Sequence, residues 1–214
     1  GIFMIDASRG YVKDGNKNRL RERDIYRIIT TFNEQITTDP KYARFVPNDE
    51  IEKKNGYNLN ITRYIDSTDP EDIQDIYAHI HGGIPAVDID GLSKYWEVFP
   101  SLKSELLTAI SEKYYSLNVE HENIRQTIYK NAEFSEYGEK LDEAFAVWNA
   151  KEYPILSALD EDVSARELIA SLAEDILAEF EHLTLIDKYD VYQVLLAYWN
   201  EIMNDDVLLI ISEP

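Results

Sequence analysis

Apolar positions along this chain follow two different rhythms, and the change falls near residue 67. Ile2-Phe3-Met4-Ile5 is a continuous apolar run that stops at Asp6-Ala7-Ser8. Such a run predicts a buried strand covered on both faces, as in a parallel sheet. Almost no chain precedes it, so the expectation is a strand whose sheet lies elsewhere, in a chain that is a piece of something longer. Arg9 to Asn18 is rich in Gly, Asn and Lys and predicts a loop. Ile25, Ile28, Ile29 and Phe32 then recur at helical spacing. Asp39-Pro40 breaks that pattern, Ala43–Val46 predicts a short strand, and Asn55-Gly56 signals a turn.

From Ser67 onward the pattern is almost purely helical. Asp69 is the expected N-cap of a helix with Pro70 at its first position, followed by Ile73, Ile76, Tyr77 and Ile80, and Gly82-Gly83 ends it. Asp88 or Asp90 starts the next, carrying Leu92, Tyr95, Trp96 and Phe99. After Pro100 a further helix runs through Leu102, Leu106 and Ile110. Phe134, Tyr137, Leu141, Phe145 and Trp148 mark the stripe of one long amphipathic helix. Ser164 with Glu167 makes a capping box ahead of Leu168, Leu172, Ile176 and Phe180. Tyr192, Leu195, Leu196, Trp199 and Met203 form the last stripe, and Val207–Ile211 predicts a closing strand. The predicted class is therefore mainly α: a multi-helix C-terminal region, with short strands at the two ends.

Composition changes this picture mainly through charge. With 214 residues, 44% apolar, the chain can bury a real core. No apolar run is long enough for a membrane span, no basic leader opens the chain, and nothing points outside the cytoplasm. Zero cysteines exclude disulfides, thiol nucleophiles and cysteine-ligated metals. The net charge of −20 is unevenly spread: residues 1–66 carry 12 Lys/Arg against 10 Asp/Glu, and residues 67–214 carry 9 against 31. So acidic a body repels a phosphate backbone. Any contact with nucleic acid is expected through the first segment, where Arg9, Lys13, Lys17, Arg19, Arg21, Arg23 and Arg27 face only Asp14, Glu22 and Asp24. The DNA-contact candidates are Arg9, Lys13, Lys17, Arg19, Arg23 and Arg27. The plainer reading is a solvated loop and helix start neutralised by the protein's own carboxylates.

Catalytic signals are missing. There is no G-x-G-x-x-G, no G-x-x-x-x-G-K, no G-x-S-x-G and no H-E-x-x-H. All seven prolines are isolated, so no Asn/Asp-Pro-Pro-aromatic tetrad exists. His79-x-His81 is a weak metal pair, because i and i+2 point apart on a helix, and a last-turn histidine suits the helix dipole. Asp205-Asp206 and Asp160-Glu161-Asp162 read as solvated runs at helix boundaries. No catalytic, cofactor-binding or metal-ligating residue is assigned.

Phe3-Met4-Ile5-Asp6-Ala7-Ser8-Arg9, then Val12-Lys13, Asn16-Lys17-Asn18-Arg19-Leu20 and Asp24-Ile25, resembles a late segment of the modification (M) subunit of type I restriction–modification enzymes. That family reads F-I-D-A-S-R-x-x-V-K-x-x-x-Q-N-x-L-x-x-x-D-I there. Asn58-Leu59-Asn60-Ile61-Thr62-Arg63-Tyr64-Ile65-Asp66 is similar to its N-L-N-I-P-R-Y-[IV]-D signature. Further matches to a large-subunit branch are Pro70–Ile76, Gly82–Pro85, Tyr95–Leu102, Tyr189–Gln193 and Asp205-Asp206-Val207. Two departures stand out. Thr62 replaces the usual proline, and Arg21 stands where a helix-capping Thr or Ser is common, a cap worth about 1 kcal/mol.

The resemblance implies the C-terminal part of an adenine-N6 DNA methyltransferase subunit that uses S-adenosylmethionine. The family's glycine motif and its N-P-P-[FY] tetrad lie upstream of F-I-D-A-S, and no position here matches them, so no cofactor is assigned to this chain. Residues 1–66 would be the tail of the catalytic domain, the first strand a remnant of its sheet, and 67–214 an acidic helical domain. The implied partners are the specificity subunit, the motor–nuclease subunit, and DNA through the complex; no membrane is involved. The alternative is a free-standing acidic helical adaptor, or DNA mimic, that binds a basic protein surface.

Overall fold

A computed structural model describes residues 1–36, 39–68, 74–160 and 162–212. In chain order, β1 (Ile2–Ile5), β2 (Val12–Asp14) and β3 (Lys17–Arg19) precede α1 (Glu22–Glu34) and β4 (Ala43–Val46). Then come α2 (Ile76–His81), β5 (Ile84–Pro85), α3 (Ala86–Asp90), α4 (Ser93–Val98) and α5 (Pro100–Leu106). β6 (Leu107–Ala109), β7 (Tyr114–Leu117), α6 (Ile124–Lys130) and α7 (Ala132–Leu156) follow. The chain continues through α8 (Ala165–Phe180), α9 (Lys188–Tyr198), a π-helical turn at Trp199–Met203 and α10 (Asn204–Ser212). The described residues are mainly α with three small sheets.

Contacts divide it into two compact units. The first comprises Gly1–Glu71, Leu159–Leu177 and Asp187–Pro214; the second comprises Asp72–Ala158 and Ala178–Ile186.

In the first unit β1 pairs antiparallel with β4, Phe3 opposite Phe45 and Met4 opposite Arg44. This corrects the expected doubly covered parallel strand. Two strands cannot cover the run as a wide sheet would: Met4 is buried, but Ile2, two residues along on the same face at the strand end, is 40% exposed. Met4, Val46, Ile51, Tyr64 and Ile65 form the core there. The loop expected at 9–18 is in fact a hairpin, β2 against β3. α1 forms where its isoleucines predict it, but the stripe faces outward: Ile25, Ile29 and Phe32 are exposed and Asp24 and Thr31 are buried. Its inner face meets α9 instead, where Tyr26 stacks on Tyr192 at 4.1 Å between ring centroids and 13° between planes. Ser164 caps α8, accepting from the Glu167 N–H at 3.4 Å, and Leu168, Leu172 and Ile176 are buried as the spacing predicts.

The expected strand at Val207–Ile211 is helical and lies within α10. A five-residue apolar run fits either element. Here Asp205 and Asp206 fall in the first helical turn, where negative charge is favourable.

The second unit is built on Ile89, Phe99, Leu102, Leu106 and Leu107, with Trp96, Phe134, Tyr137 and Leu185 packed around them. The expected caps Asp69 and Pro70, with Ile73, lie outside the described residues. α2 starts at Ile76 with Asp75 as its cap, accepting from the Ala78 N–H at 3.0 Å, and it stops at Gly82, where φ is 78°. Asp88 and Asp90 lie inside α3 rather than at a helix start. The helix expected to reach Ile110 ends at Leu106, where the chain turns extended into β6. β7 then pairs with β6 on one edge and β5 on the other, giving a three-stranded antiparallel sheet that the helical reading lacked. α7 is the long helix predicted. Its first half packs through Phe134 and Tyr137, whereas Phe145 is exposed.

Candidate nucleic-acid interface

Gly15 and Asn16 close the β2–β3 hairpin. Gly15 has φ 59°, and left-handed φ at the first position of a two-residue loop is what favours glycine there. Val12 lies opposite Arg19, Lys13 opposite Asn18 and Asp14 opposite Lys17. Side chains alternate along a strand, so Lys13 and Asn18 share one face and Lys17 and Arg19 the other. Lys13 Nζ donates to Asn18 Oδ1 at 2.7 Å and lies 5.4 Å from the Tyr11 ring centroid. Arg19 stands 3.5 Å from Asp14. Every residue from Tyr11 to Leu20 is exposed. Solvated pairs of this kind are worth about 0–1 kcal/mol, so these cations can exchange partners cheaply.

The arginines that follow are held differently. Arg9, Arg21, Arg23 and Arg27 line a cavity of about 160 Å³ together with Asp6, Asp24 and Tyr42. Arg21 donates to Asp24 through Nε at 2.9 Å and Nη2 at 3.0 Å, and its backbone N–H donates to the same carboxylate at 2.9 Å. Asp24 thus closes the start of α1 from inside and replaces the absent Ser or Thr cap. Burial raises the pKa of the Asp24 carboxyl, but the Arg21 hydrogen bonds and charge outweigh it, and the net direction is down. Asp6 is also held low, chiefly by hydrogen bonding from Ser8, whose N–H donates at 3.0 Å. Arg23 pairs with Asp190 and lies 3.5 Å from Asp187, both on or capping α9, and its N–H donates to Gln193 Oε1 at 3.2 Å. Arg27 donates to Asp39 at 3.2 Å and stacks 3.7 Å from the Tyr42 ring centroid.

The six candidates therefore fall into two sets. Lys13, Lys17 and Arg19 project from an exposed ribbon, while Arg9, Arg23 and Arg27 line a cavity rich in carboxylates. The hairpin tip, Gly15 and Asn16, escaped the list of candidates. Its signal was present, since Gly-Asn between two short runs is a recognised two-residue hairpin loop.

Residues 1–73 match the family model for N-6 DNA methylase. The Type I restriction enzyme MpnII methylase subunit of Mycoplasma pneumoniae is 31% identical over 87 residues, which is 41% of this chain. Residues 1–73 are N-6 DNA methylase-like. The stretch matched to the Mycoplasma protein spans 16% of that relative's own length. No solved structure matches the chain.

The methylase-like segment contains both the hairpin and the Asn58–Asp66 signature. In that signature Tyr64 is buried, and its hydroxyl donates to the Asn58 carbonyl at 2.5 Å. Asn60 Oδ1 accepts from the Thr62 N–H at 3.4 Å and from its hydroxyl at 3.1 Å. The N–H that a proline would lack thus has a partner. The arginine-lined cavity is small for a cofactor site. Small-molecule sites run to about 300–1,000 Å³, and this one holds about 160 Å³ behind four arginines.

Elsewhere, His79 and His81 occupy the last turn of α2, where the His81 ring lies 4.4 Å from that of Tyr77. Among the described residues no group of three His, Cys, Asp or Glu could hold a metal ion. No helix among them is long and apolar enough to cross a membrane.

Proposed function

We propose that this chain works as a non-catalytic part of a DNA-methylating subunit, positioning DNA and assembling with other subunits. The observation that carries the reading is the exposed basic hairpin, placed inside the methylase-like segment of a chain whose net charge is −20. Methyl transfer from S-adenosylmethionine to adenine N6 would belong to another part of that subunit. On this division residues 1–66 serve the DNA side. Residues 67–214, with 31 acidic side chains against 9 basic ones, serve assembly with the specificity subunit and, beside it, the motor–nuclease subunit. The cytoplasm is the compartment such a complex implies.

The test is a salt titration of DNA binding with Lys13, Lys17 and Arg19 replaced together by Ala. Phosphate contacts carry no base information, so affinity should fall about equally on all sequences. Each lost contact should also flatten the log–log salt slope by about 0.9. Unchanged slope and affinity would return these side chains to the role of a solvated loop. The acidic charge also favours a second reading, an adaptor for a basic protein surface. Gel filtration with a purified specificity subunit separates the two: an adaptor held by charge alone dissociates in 1 M salt, where screening reaches about 3 Å, and a packed subunit interface survives.

A further inference from the structure

We infer that the β2–β3 hairpin enters the major groove of duplex DNA as a two-stranded ribbon, with Asn16 at its tip meeting the edge of an adenine. The inference rests on the reading that this segment meets DNA, and adds to it the groove and the base-reading residue.

Four observations lead there. The ribbon covers neither of its faces: all ten residues from Tyr11 to Leu20 are exposed. An isolated two-stranded ribbon is marginal in water, and a partner that covers both faces at once is a groove rather than a flat surface. Size selects the groove. Paired strands lie about 4.8 Å apart, and their side chains fill out a body that suits a slot about 12 Å wide and 8.5 Å deep but not one about 6 Å wide. Charge selects the ligand, since Lys13, Lys17 and Arg19 face a single carboxylate, Asp14, on the ribbon. The cations flank the tip, where the groove walls carry phosphates. Finally, the tip itself is bare. A methyl group at Gly15 would meet nothing within 4 Å, so the backbone there can approach a surface closely. Asn16 follows at once, and an Asn amide pairs in a bidentate manner with adenine N6 and N7, atoms that face the major groove.

The experiment uses the 214-residue chain at about 0.15 M salt, where screening beyond about 8 Å weakens repulsion by the acidic remainder of the chain while contacts made by the ribbon itself persist, and a pool of mixed-sequence duplexes. A second pool is made with 7-deazaadenine for adenine, which removes N7 from the major groove and leaves the backbone and minor groove alone. The expected result is about 5-fold to 10-fold weaker binding of the deaza pool by the wild-type chain, as loss of half a bidentate contact implies. Asn16→Ala should bind both pools alike, and Lys17→Ala with Arg19→Ala should weaken both equally. Circular dichroism confirms folding, which an exposed tip residue does not govern. If the double variant weakens binding but the wild type treats the two pools alike, the ribbon lies on the backbone and the groove inference falls while the DNA reading stands. If the wild type binds neither pool, both fall.

Discussion

Arg23 of α1 grips Asp190 of α9, with Asp187 3.5 Å away at the start of the same helix. The Arg23 side chain is four-fifths covered, and Asp24 lies 4.0 Å from its Nε. Removing the arginine leaves three carboxylates close together with one fewer counter-charge. Arg23→Ala should therefore cost about 2 kcal/mol, the scale of a charged hydrogen bond. Asp190→Ala, at a mostly exposed carboxylate, should cost about 0–1 kcal/mol. Urea melts of the two variants check the asymmetry. Equal and negligible losses would show that the contact contributes nothing to stability.

Asp24 gives the fold a pH dependence of known sign. Its pKa in the folded chain lies below the ordinary carboxylate value of about 3.9. A group so depressed contributes stability that is fully present above that value and is lost as pH falls through the folded pKa. Asp24→Asn keeps the shape but not the charge. The variant should melt at lower urea than wild type at pH 7 and pH 5, with the gap closing as pH falls below the ordinary carboxylate value and through the folded pKa. A gap that is constant with pH would show that the charge of Asp24 contributes nothing.

The legible parts of this chain were those decided by local rhythm. The stripes at Phe134–Tyr137 and Leu168–Ile176 pack as spacing requires, and Gly82 stops its helix. Two kinds of element were hidden. Strands of two to four residues, such as Ile84–Pro85 and Tyr114–Leu117, are too short to show alternation, so their sheet passed for helix. The run Val207–Ile211 has no period at all, and its helical state depends on its place after the Trp199–Met203 turn. The basic candidates could be found by charge but not sorted. What separates Arg23 from Lys17 is a carboxylate more than 160 positions away in the chain, and no local pattern reports it.

Apolar residues divide into two energetic classes in the first unit. Ile65 is 1% exposed among Met4, Val46, Ile51 and Tyr64, so Ile65→Ala should cost about 2–5 kcal/mol. Phe32 on α1 is 62% exposed, and Phe32→Ala should change the stability of the chain by less than about 0.5 kcal/mol. The comparison is made by chemical denaturation under one set of conditions. A large loss for Phe32→Ala would mean that the outward stripe of α1 is covered in solution.

The hairpin should be the least protected structure in its unit and should fail alone. Gly15 sits at φ 59° in open space, so a side chain there meets no steric obstacle and only the backbone conformation resists it. An L-alanine in that region costs about 1–2 kcal/mol. Because neither face of the ribbon is packed, that penalty can be escaped by opening the ribbon without disturbing β1, β4 or α1. Gly15→Ala should therefore speed amide exchange across Val12–Arg19 while leaving the global urea midpoint unchanged. Gly15→Asn, a residue that tolerates left-handed φ through its short polar side chain, should restore most of the protection. Hydrogen exchange read residue by residue decides the matter. A fall in the global midpoint with Gly15→Ala would show that the ribbon is part of the cooperative core rather than an appendage held out for a partner.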